Sequence, residues 1–290
     1  MNSKPFQSLE ARLEAVGNGN AKRSVEELAA HVLGCKPLDI YFKEISAEQE
    51  VELEKLIARA EQGEPIQYII GHVDFRGLKI ICDSRALIPR AETELLVEEV
   101  LQTVSSFEFQ VSSFLQIADV CTGTGCIGLA LASELSNAQV TAIDISPEAL
   151  SLARENAEQL GLTGRFQCLE NNLLDGIEEN RFDIVVSNPP YIFSKVWKKL
   201  ESSVKEHEPQ LALDGGEEGM DLIVPLVEHA AKVLKPGGGL FLEMGYDQGQ
   251  AVFQCLEKAG FQNVRVIKDY ASLDRIVCGE KPQASLATEI

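Results

Sequence analysis

The sequence contains no uninterrupted apolar run of the roughly 18 residues that a membrane-spanning helix requires, so we expect no membrane segment. Its first residues are polar and lack the apolar stretch of a secretory signal, which favours a cytoplasmic protein. The seven cysteines are an odd number without a C-x-x-C pair, which is typical of reduced thiols and not of a disulfide framework or a zinc knuckle. Because the four histidines show no ligand spacing, we expect no metal site.

Basic residues are also scarce. The chain has 26 Lys and Arg against 45 Asp and Glu, which gives a formal net charge of −19. Proteins that bind nucleic acids release counterions with a basic face, and a field of this sign repels a polyanion. The charge therefore counts against a nucleic-acid partner.

The 290 residues are enough for two domains. Residues 1–70 have the spacing of short amphipathic helices, two of which begin at capping boxes headed by Ser24 and Ser46. Residues 71–90 are predicted to be a β-hairpin linker. β-rich stretches lie at 66–70 and 78–82, with glycines at 71 and 77 between them. The rest of the chain, 91–290, forms the third segment.

In this third segment, apolar strands alternate with helices. Predicted strands lie at 115–120, 139–143, 182–186 and 239–244, and the last helix before 239 ends at Lys235-Pro236-Gly237-Gly238. The chain closes with a terminal antiparallel pair. Such alternation indicates an α/β fold with a doubly wound, mostly parallel sheet covered by helices on both faces.

A glycine-rich turn follows the first of these strands. Gly123, Gly125 and Gly128 form a G-x-G-x-x-G pattern that opens a helix, and Asp144 ends the next strand. This arrangement indicates a nucleoside cofactor, either a dinucleotide or S-adenosylmethionine. Asp119, at the strand end, would repel a pyrophosphate but can accept a hydrogen bond from an ammonium group, which favours the methyl donor. The alternative is that Asp119 caps the loop.

Asn188, Pro189, Pro190 and Tyr191 follow the predicted strand 182–186, at the sheet edge where doubly wound folds bind ligands. The two prolines remove two N–H donors and leave carbonyl oxygens without an internal partner. Asn188 adds an amide oxygen, and Tyr191 adds a flat face. Together they predict an acceptor-lined slot for a planar NH₂ group.

The chemistry of such a nitrogen explains the slot. A carboxamide or aromatic amine is a poor nucleophile because its lone pair is delocalised. Hydrogen bonds to the Asn188 side-chain oxygen and the Pro189 carbonyl would orient the nitrogen and stabilise the positive charge that develops during methyl transfer. We therefore predict Asn188, Pro189 and Tyr191 as catalytic residues, and these three with Pro190 as the substrate-binding residues.

Several motifs resemble those of bacterial peptide chain release factor glutamine methyltransferases. They lie at 64–71, 75–78, 87–94, 121–125, 188–191, 208–213, 243–248 and 274–275. The resemblance implies an N-terminal helical substrate-recognition domain, a hairpin linker and a seven-stranded Rossmann-like class I methyltransferase domain. It also implies methyl transfer from S-adenosylmethionine to the side-chain amide nitrogen (N5) of the glutamine in the Gly-Gly-Gln motif of release factors.

The resemblance also implies cofactor contacts. Residues 121–125 would wrap the methionine part, Asp144 would bind the ribose hydroxyls, and 171–173 would border the adenine. The full predicted set is Asp119, Cys121, Thr122, Gly123, Thr124, Gly125, Asp144, Asn172, Leu173 and Asn188.

Three positions depart from the family pattern. Cys121 replaces a glycine and fits only if its φ is negative, and Ala91 replaces a proline in the loop over the cofactor. Asn172 replaces an acid but can still pair with an adenine amine through its carbonyl. These departures bear on cofactor affinity and leave the acceptor slot intact.

Other functions share parts of this pattern. A ribosomal protein glutamine methyltransferase has the same edge motif, and an adenine-N6 nucleic-acid methyltransferase presents the same NH₂ group, although the net charge of −19 counts against the latter. A nicotinamide-dependent oxidoreductase would use the glycine turn but lacks a second mononucleotide half here. A catalytically silent scaffold would not need to keep Asn188, Pro189 and Tyr191.

Overall fold

The structure is a computed structural model that describes residues 4–106, 114–200 and 202–283. The described chain divides into two compact units. One lies within residues 1–72 and 201–207, and the other within residues 73–200 and 208–290.

The first unit is helical. Its elements are α1 (Lys4–Ala15), α2 (Ala21–Leu33), a 3₁₀ turn (Pro37–Phe42), α3 (Ala47–Glu61), α4 (Ile66–Ile70) and the short α9 (Ser202–Lys205). Leu13, Val25, Leu28 and Ile57, all 0% exposed, form its core. The apolar spacing read from residues 1–70 therefore places one face of each long helix in a common interior.

The two capping boxes had different outcomes. The one at Ser46 is confirmed, because the Ser46 hydroxyl accepts from the Gln49 N–H at 3.3 Å and the Gln49 side chain accepts from the Ser46 N–H at 3.0 Å. The one at Ser24 is wrong, since α2 already begins at Ala21 and Ser24 is buried inside it. A turn that starts at Asn18, whose carbonyl accepts from the Ala21 N–H at 3.2 Å, begins the helix earlier.

A β-hairpin follows, with β1 at His72–Phe75 and β2 at Leu78–Ile81. Its two turn residues, Arg76 and Gly77, have φ of 46° and 75°, the left-handed pair that a tight two-residue hairpin turn requires. The predicted β-stretch at 66–70 is wrong, because these residues form α4. Pro65 precedes that helix with φ −58°, and Gly71 ends it by donating its N–H to the Gln67 carbonyl at 2.8 Å.

The second unit holds a seven-stranded sheet. Its strands are β3 (Leu115–Val120), β4 (Ala138–Asp144), β5 (Phe166–Glu170), β6 (Phe182–Ser187), β7 (Leu234–Glu243), β8 (Gln262–Lys268) and β9 (Asp274–Glu280). Its helices are α5 (Thr93–Ser106), α6 (Cys126–Glu134), α7 (Pro147–Gln159), α8 (Ser194–Trp197), α10 (Ile223–Val233) and α11 (Gly249–Lys258).

The strand order is β5-β4-β3-β6-β7-β9-β8. All neighbours are parallel except β9, which runs antiparallel to β7 and β8. The predicted doubly wound sheet, with its seven strands and antiparallel end, is confirmed. The order reverses at β3, which pairs with both β4 and β6, so a crevice opens beyond the carboxyl ends of these strands.

Two details of the sheet differ from the sequence prediction. Strand β5 was missed because its five residues, FQCLE, form neither an apolar run nor a strict alternation of apolar and polar residues. The Lys235-Pro236-Gly237-Gly238 stretch was read as a helix end, but it lies inside β7. Gly237 donates its N–H to the Lys281 carbonyl at 2.9 Å, and Lys281 donates its N–H to the Gly238 carbonyl at 2.8 Å, so the segment after β9 extends the strand pairing there.

Apolar clusters cover both faces of the sheet. Ile117 and Val140 belong to one cluster, and Val120 and Val185 belong to the other. Among residues 4–106, 114–200 and 202–283, no helix has the length and apolar character needed to cross a membrane.

Candidate active site

A cleft lies where the carboxyl ends of β3, β4 and β6 meet. It encloses about 1050 Å³ of empty space, part of which is open to solvent. Of the predicted cofactor residues, those that line it are Cys121, Thr122, Gly123, Thr124, Asp144, Asn172, Leu173 and Asn188. The fold thus brings residues from four separate segments of the sequence to one site.

The glycine turn is held by its own backbone. The Gly125 N–H donates to the Thr122 carbonyl at 2.8 Å, and α6 begins at the next residue. A β-carbon at Gly125 would lie 3.0 Å from the Phe166 ring, so this position, which lies behind the cleft, has no room for a side chain. Gly123 and Gly125 both have positive φ, 55° and 82°. The turn therefore needs glycine at these two positions.

Cys121 departs from expectation. The predicted negative φ of Cys121 is wrong, because its φ is 56°. A residue with a β-carbon in this region is strained, which explains why glycine suits the position better. Its half-buried side chain packs against the cluster under the turn, and burial raises the pKa of its thiol.

Asp119 lies behind the turn and is 0% exposed. Its Oδ2 accepts from the Thr122 hydroxyl at 2.6 Å and from the Gly128 N–H at 2.9 Å, while its Oδ1 is buried and has no hydrogen-bond partner among the described residues. Burial raises the pKa of Asp119 to about 7. This geometry matches the alternative role of a loop cap, and the direct contact with an ammonium group stays a prediction.

Asp144 occupies the end of β4 at the cleft wall. Its two carboxylate oxygens accept from the Gly123 N–H at 2.9 Å and the Ser146 N–H at 3.0 Å, and burial raises its pKa. Asp144 therefore ties the glycine turn to the start of α7. The segment after the neighbouring strand β5 lies beside Asp144, whose carbonyl accepts from the Asn171 N–H at 3.0 Å. There Asn172 donates its side-chain N–H to Asp175 at 3.3 Å, and Leu173 has φ 51°.

The acceptor end of the cleft lies after β6. Asn188 and Pro190 line the cleft, Pro189 is buried and Tyr191 is half-buried. The Asn188 Nδ2 donates to the Thr93 hydroxyl at 3.2 Å, and the Tyr191 hydroxyl donates to Glu243 Oε1 at 3.2 Å. The amide nitrogen of Asn188 is thus engaged, which leaves its carbonyl oxygen as the acceptor of this side chain.

Sequence reasoning missed several residues that hold this end in place. Gln248 is 3% exposed, and its Nε2 donates to the carbonyls of Tyr191 and Gly219, each at 3.1 Å. A β-carbon at Gly215 would lie 2.7 Å from both the Pro190 carbonyl oxygen and the Tyr191 Cα. Gln248 lies in the segment 243–248, one of the motifs that carry the family resemblance, but no local sequence pattern indicates the carbonyls that it binds.

Two further buried polar residues fix the other walls. Asn156 on α7 pairs with both backbone groups of Ile81, at 2.7 and 3.0 Å, and also donates to the Thr124 carbonyl at 3.0 Å. Glu208 accepts from the Ile88 N–H at 3.2 Å and from Arg90 at 2.5 Å. The segment 85–90 that lines the cleft is therefore anchored just before the exposed Ala91.

Within the described ranges, no group of three or more His, Cys, Asp or Glu side chains is arranged to hold a metal ion. The cleft instead offers a turn with close backbone approach, an acid at the end of the second strand and an amide acceptor. Such a set suits a nucleoside cofactor beside a group with N–H donors.

Comparisons with known proteins agree with this description. The family described as "PrmC N-terminal domain" matches residues 6–71, and the family described as "Methyltransferase small domain" matches residues 92–206. A protein of Koribacter versatilis named "Release factor glutamine methyltransferase" is 38% identical over 281 residues, which span 96% of this chain and 97% of that protein. A protein of Caulobacter vibrioides with the same name is 40% identical, over 89% of this chain and 88% of its own length.

Among solved structures, a methyltransferase from Pyrococcus furiosus is similar, with a TM-score of 0.51 and 21% identity. The match covers 71% of this chain and 90% of that one, and it supports the class I methyltransferase fold.

Proposed function

The chain belongs to the family of release factor glutamine methyltransferases, and from this premise we propose that its cleft methylates a glutamine of peptide chain release factors. The methyl group would pass from S-adenosylmethionine to the side-chain amide nitrogen (N5) of the glutamine in the Gly-Gly-Gln motif, with S-adenosylhomocysteine as the leaving product. One observation carries this proposal: Asn188 lines the same cleft as Gly123 and Asp144, with its amide nitrogen already engaged by Thr93.

The residues of the cleft fit the methyl donor. The turn 121–125 would allow a close backbone approach to the amino-acid part, Asp144 would bind the ribose hydroxyls, and residues 171–173, which line the cleft, would border the adenine. The orphaned Oδ1 of Asp119 is a buried acceptor close behind this turn. S-adenosylmethionine supplies an electrophilic methyl group on a sulfonium sulfur.

The acceptor residues bind and orient the glutamine. Its NH₂ group donates to the Asn188 side-chain oxygen and to the Pro189 carbonyl, and Tyr191 packs against its flat amide. These hydrogen bonds strengthen as positive charge develops on the nitrogen, which favours the transition state over the ground state. The extra proton is strongly acidic after transfer and leaves to solvent, so the site needs no general base.

We also propose a class of substrate and a cellular location for the enzyme. The net charge of −19 and the absence of a basic stretch in the sequence favour a protein substrate over an adenine in DNA or RNA. The relatives' names favour a release factor over a ribosomal protein and over nicotinamide chemistry. Since such substrates are cytoplasmic, we place the enzyme in the cytoplasm.

The test is to incubate the purified protein with a release factor and isotopically labelled S-adenosylmethionine. We expect mass spectrometry to find one labelled methyl group on the glutamine of the Gly-Gly-Gln peptide, and none when that glutamine is replaced by glutamate. Label on a ribosomal protein but not on release factors, or on adenine in nucleic acid, would contradict the proposal.

Asn188→Ala tests the site. Loss of an oriented hydrogen-bond acceptor lowers turnover by about a hundredfold or more, while the calorimetric affinity for S-adenosylmethionine changes little. If cofactor binding were lost in step with activity, Asn188 would be a cofactor residue and the proposed role of its oxygen would be wrong.

A further inference from the structure

Two buried residues behind Asn188 do not touch the proposed substrate or cofactor. Thr93, at the start of α5, and Glu243, at the end of β7, are each 2% exposed. The Thr93 hydroxyl donates to Glu243 Oε2 at 2.7 Å, and the same hydroxyl oxygen accepts from Asn188 Nδ2 at 3.2 Å. The three side chains form one chain of hydrogen bonds that ends at the cleft.

This chain has a direction. An ionised carboxylate has only acceptors, and a hydroxyl has a single proton. Burial raises the pKa of Glu243, while the hydrogen bonds from the Thr93 and Tyr191 hydroxyls and the charge of Arg275 favour its ionised form. Because the Thr93 proton is committed to Glu243, the Thr93 oxygen can offer only lone pairs to Asn188. Only the NH₂ end of the Asn188 amide can meet them, since its carbonyl end would place two lone pairs against each other.

We propose that Thr93 and Glu243 are positioning residues that fix the side-chain amide of Asn188 with its oxygen toward the substrate. This inference rests on the proposed function, which needs that oxygen as an acceptor. An amide turned the other way would set its own NH₂ against the NH₂ of the substrate. The sequence cannot provide this preference locally, because Thr93 and Asn188 are 95 residues apart.

The second oxygen of Glu243 supports the same direction. It accepts from the Tyr191 hydroxyl at 3.2 Å, and Arg275, a donor without acceptors, lies beside both groups. If residue 243 were glutamine, its oxygen would face Tyr191 and Arg275 and its NH₂ would face Thr93. The Thr93 proton would then be free to donate to Asn188, and the amide of Asn188 would reverse.

The kinetic test uses four variants. T93S keeps the hydroxyl and retains most of the turnover. T93V keeps the shape without the hydroxyl and loses about tenfold in kcat, whereas E243Q reverses the direction and loses about a hundredfold. In the double variant T93V/E243Q the reversed hydroxyl is gone, so its kcat returns to about that of T93V. A merely structural role would instead make the two losses add.

A second measurement does not depend on turnover. In the protein saturated with S-adenosylhomocysteine, the Asn188 side-chain NH₂ resonances are assigned by their loss in N188A. We expect these resonances to shift in T93V and E243Q and to stay in place in T93S. Unchanged resonances in T93V, or additive kinetic losses, would overturn the inference. A wild-type protein that methylates no release factor would contradict the proposed function alone, since the resonances still test the positioning.

Discussion

Cys121 occupies a backbone conformation that costs a residue with a β-carbon about 1–2 kcal/mol. Its φ of 56° lies at the first position of the turn that lines the cleft. Because its thiol also packs under the turn, replacement by glycine alone would both relieve the backbone and remove the packing of the thiol. The comparison of C121G with C121A isolates the backbone, since both lack the thiol.

We expect C121G to be more stable than C121A by about 1 kcal/mol, after the greater chain entropy of unfolded glycine is counted. Urea unfolding of the two variants without cofactor measures this difference. Equal free energies of unfolding would show that the turn relaxes to a negative φ in solution.

Asp119 gives a prediction about pH. Burial raises its pKa to about 7, against about 4 in an unfolded chain, and the nearby Asp144 acts in the same direction while Thr122 and Gly128 oppose it. Between these pH values the folded state binds more protons than the unfolded state at this site. Its contribution to stability is therefore fully present below about pH 4 and is lost as pH rises to about 7.

In D119N this dependence disappears, while one side-chain oxygen remains for Thr122 and Gly128. The free energy of unfolding of the wild type, minus that of D119N, should fall by about 1.4 kcal/mol per pH unit from about pH 5 to 6, by about half as much per unit near pH 7, and level off above about pH 8. Urea titrations of both proteins across this range provide the values. Parallel curves would mean that Asp119 has an ordinary pKa in the folded protein.

The chemical identity of the site residues could be anticipated from sequence more readily than their partners could. Asn188 and Asp144 were identified because each follows an apolar strand, and strand ends meet at one sheet edge. The partners Thr93, Gln248 and Asn156 could not be identified, because each acts over a long sequence separation through a geometry that no local spacing encodes. The desolvation of Asp119 likewise depends on the packing of α6 against β3.

At the scale of elements, the loop after β6 lies directly against the chain near Gly215. Ile192 and Asp214 form an isolated parallel bridge, and the Gly215 N–H donates to the Ile192 carbonyl at 2.8 Å. A β-carbon at Gly215 would lie 2.7 Å from backbone atoms of Pro190 and Tyr191, which cannot move aside as a flexible side chain does.

We therefore expect G215A to displace the acceptor loop and to lower kcat by about tenfold or more, with little change in cofactor affinity, because a small misplacement of a reacting group is costly. Gly164 is the matched control, since no atom of the part of the chain that the structure describes lies within 4 Å of a β-carbon there. Steady-state kinetics measures kcat and calorimetry measures the cofactor affinity of G215A and G164A. Equal activity of the two variants would show that the loop tolerates the shift.

Helices and strands were predictable where the apolar pattern was long or where a capping residue marked the start of a helix. The Ser46 capping box marked the real start of α3. The five residues 66–70 were not predictable in the same way, because a short apolar run fits a strand or a helix equally well. Pro65, which precedes this segment, and Gly71, which ends it, favour a helical turn there.

At the scale of the whole molecule, alternation of strands and helices was enough to predict the doubly wound sheet, because apolar strands of this kind need helices on both faces. The function of residues 1–70 is a different matter. We predicted them to recognise the substrate, and this stays a prediction. It has a testable form because the helical unit exposes large apolar side chains, with Leu38 72% and Phe42 77% exposed in the turn Pro37–Phe42.

If this turn contacts the release factor, L38S/F42S should raise KM for the full-length factor by about tenfold, since two apolar side chains lose their burial on binding. Activity on a short Gly-Gly-Gln peptide should stay the same, because a peptide reaches only the cleft of the other unit. Y270S is the control, since Tyr270 is 97% exposed in the turn between β8 and β9. Substitutions at such exposed positions change the free energy of unfolding little, so the variants can be compared as folded proteins. Equal losses on the peptide and the full-length factor, or an unchanged KM for both, would refute a recognition role for this turn.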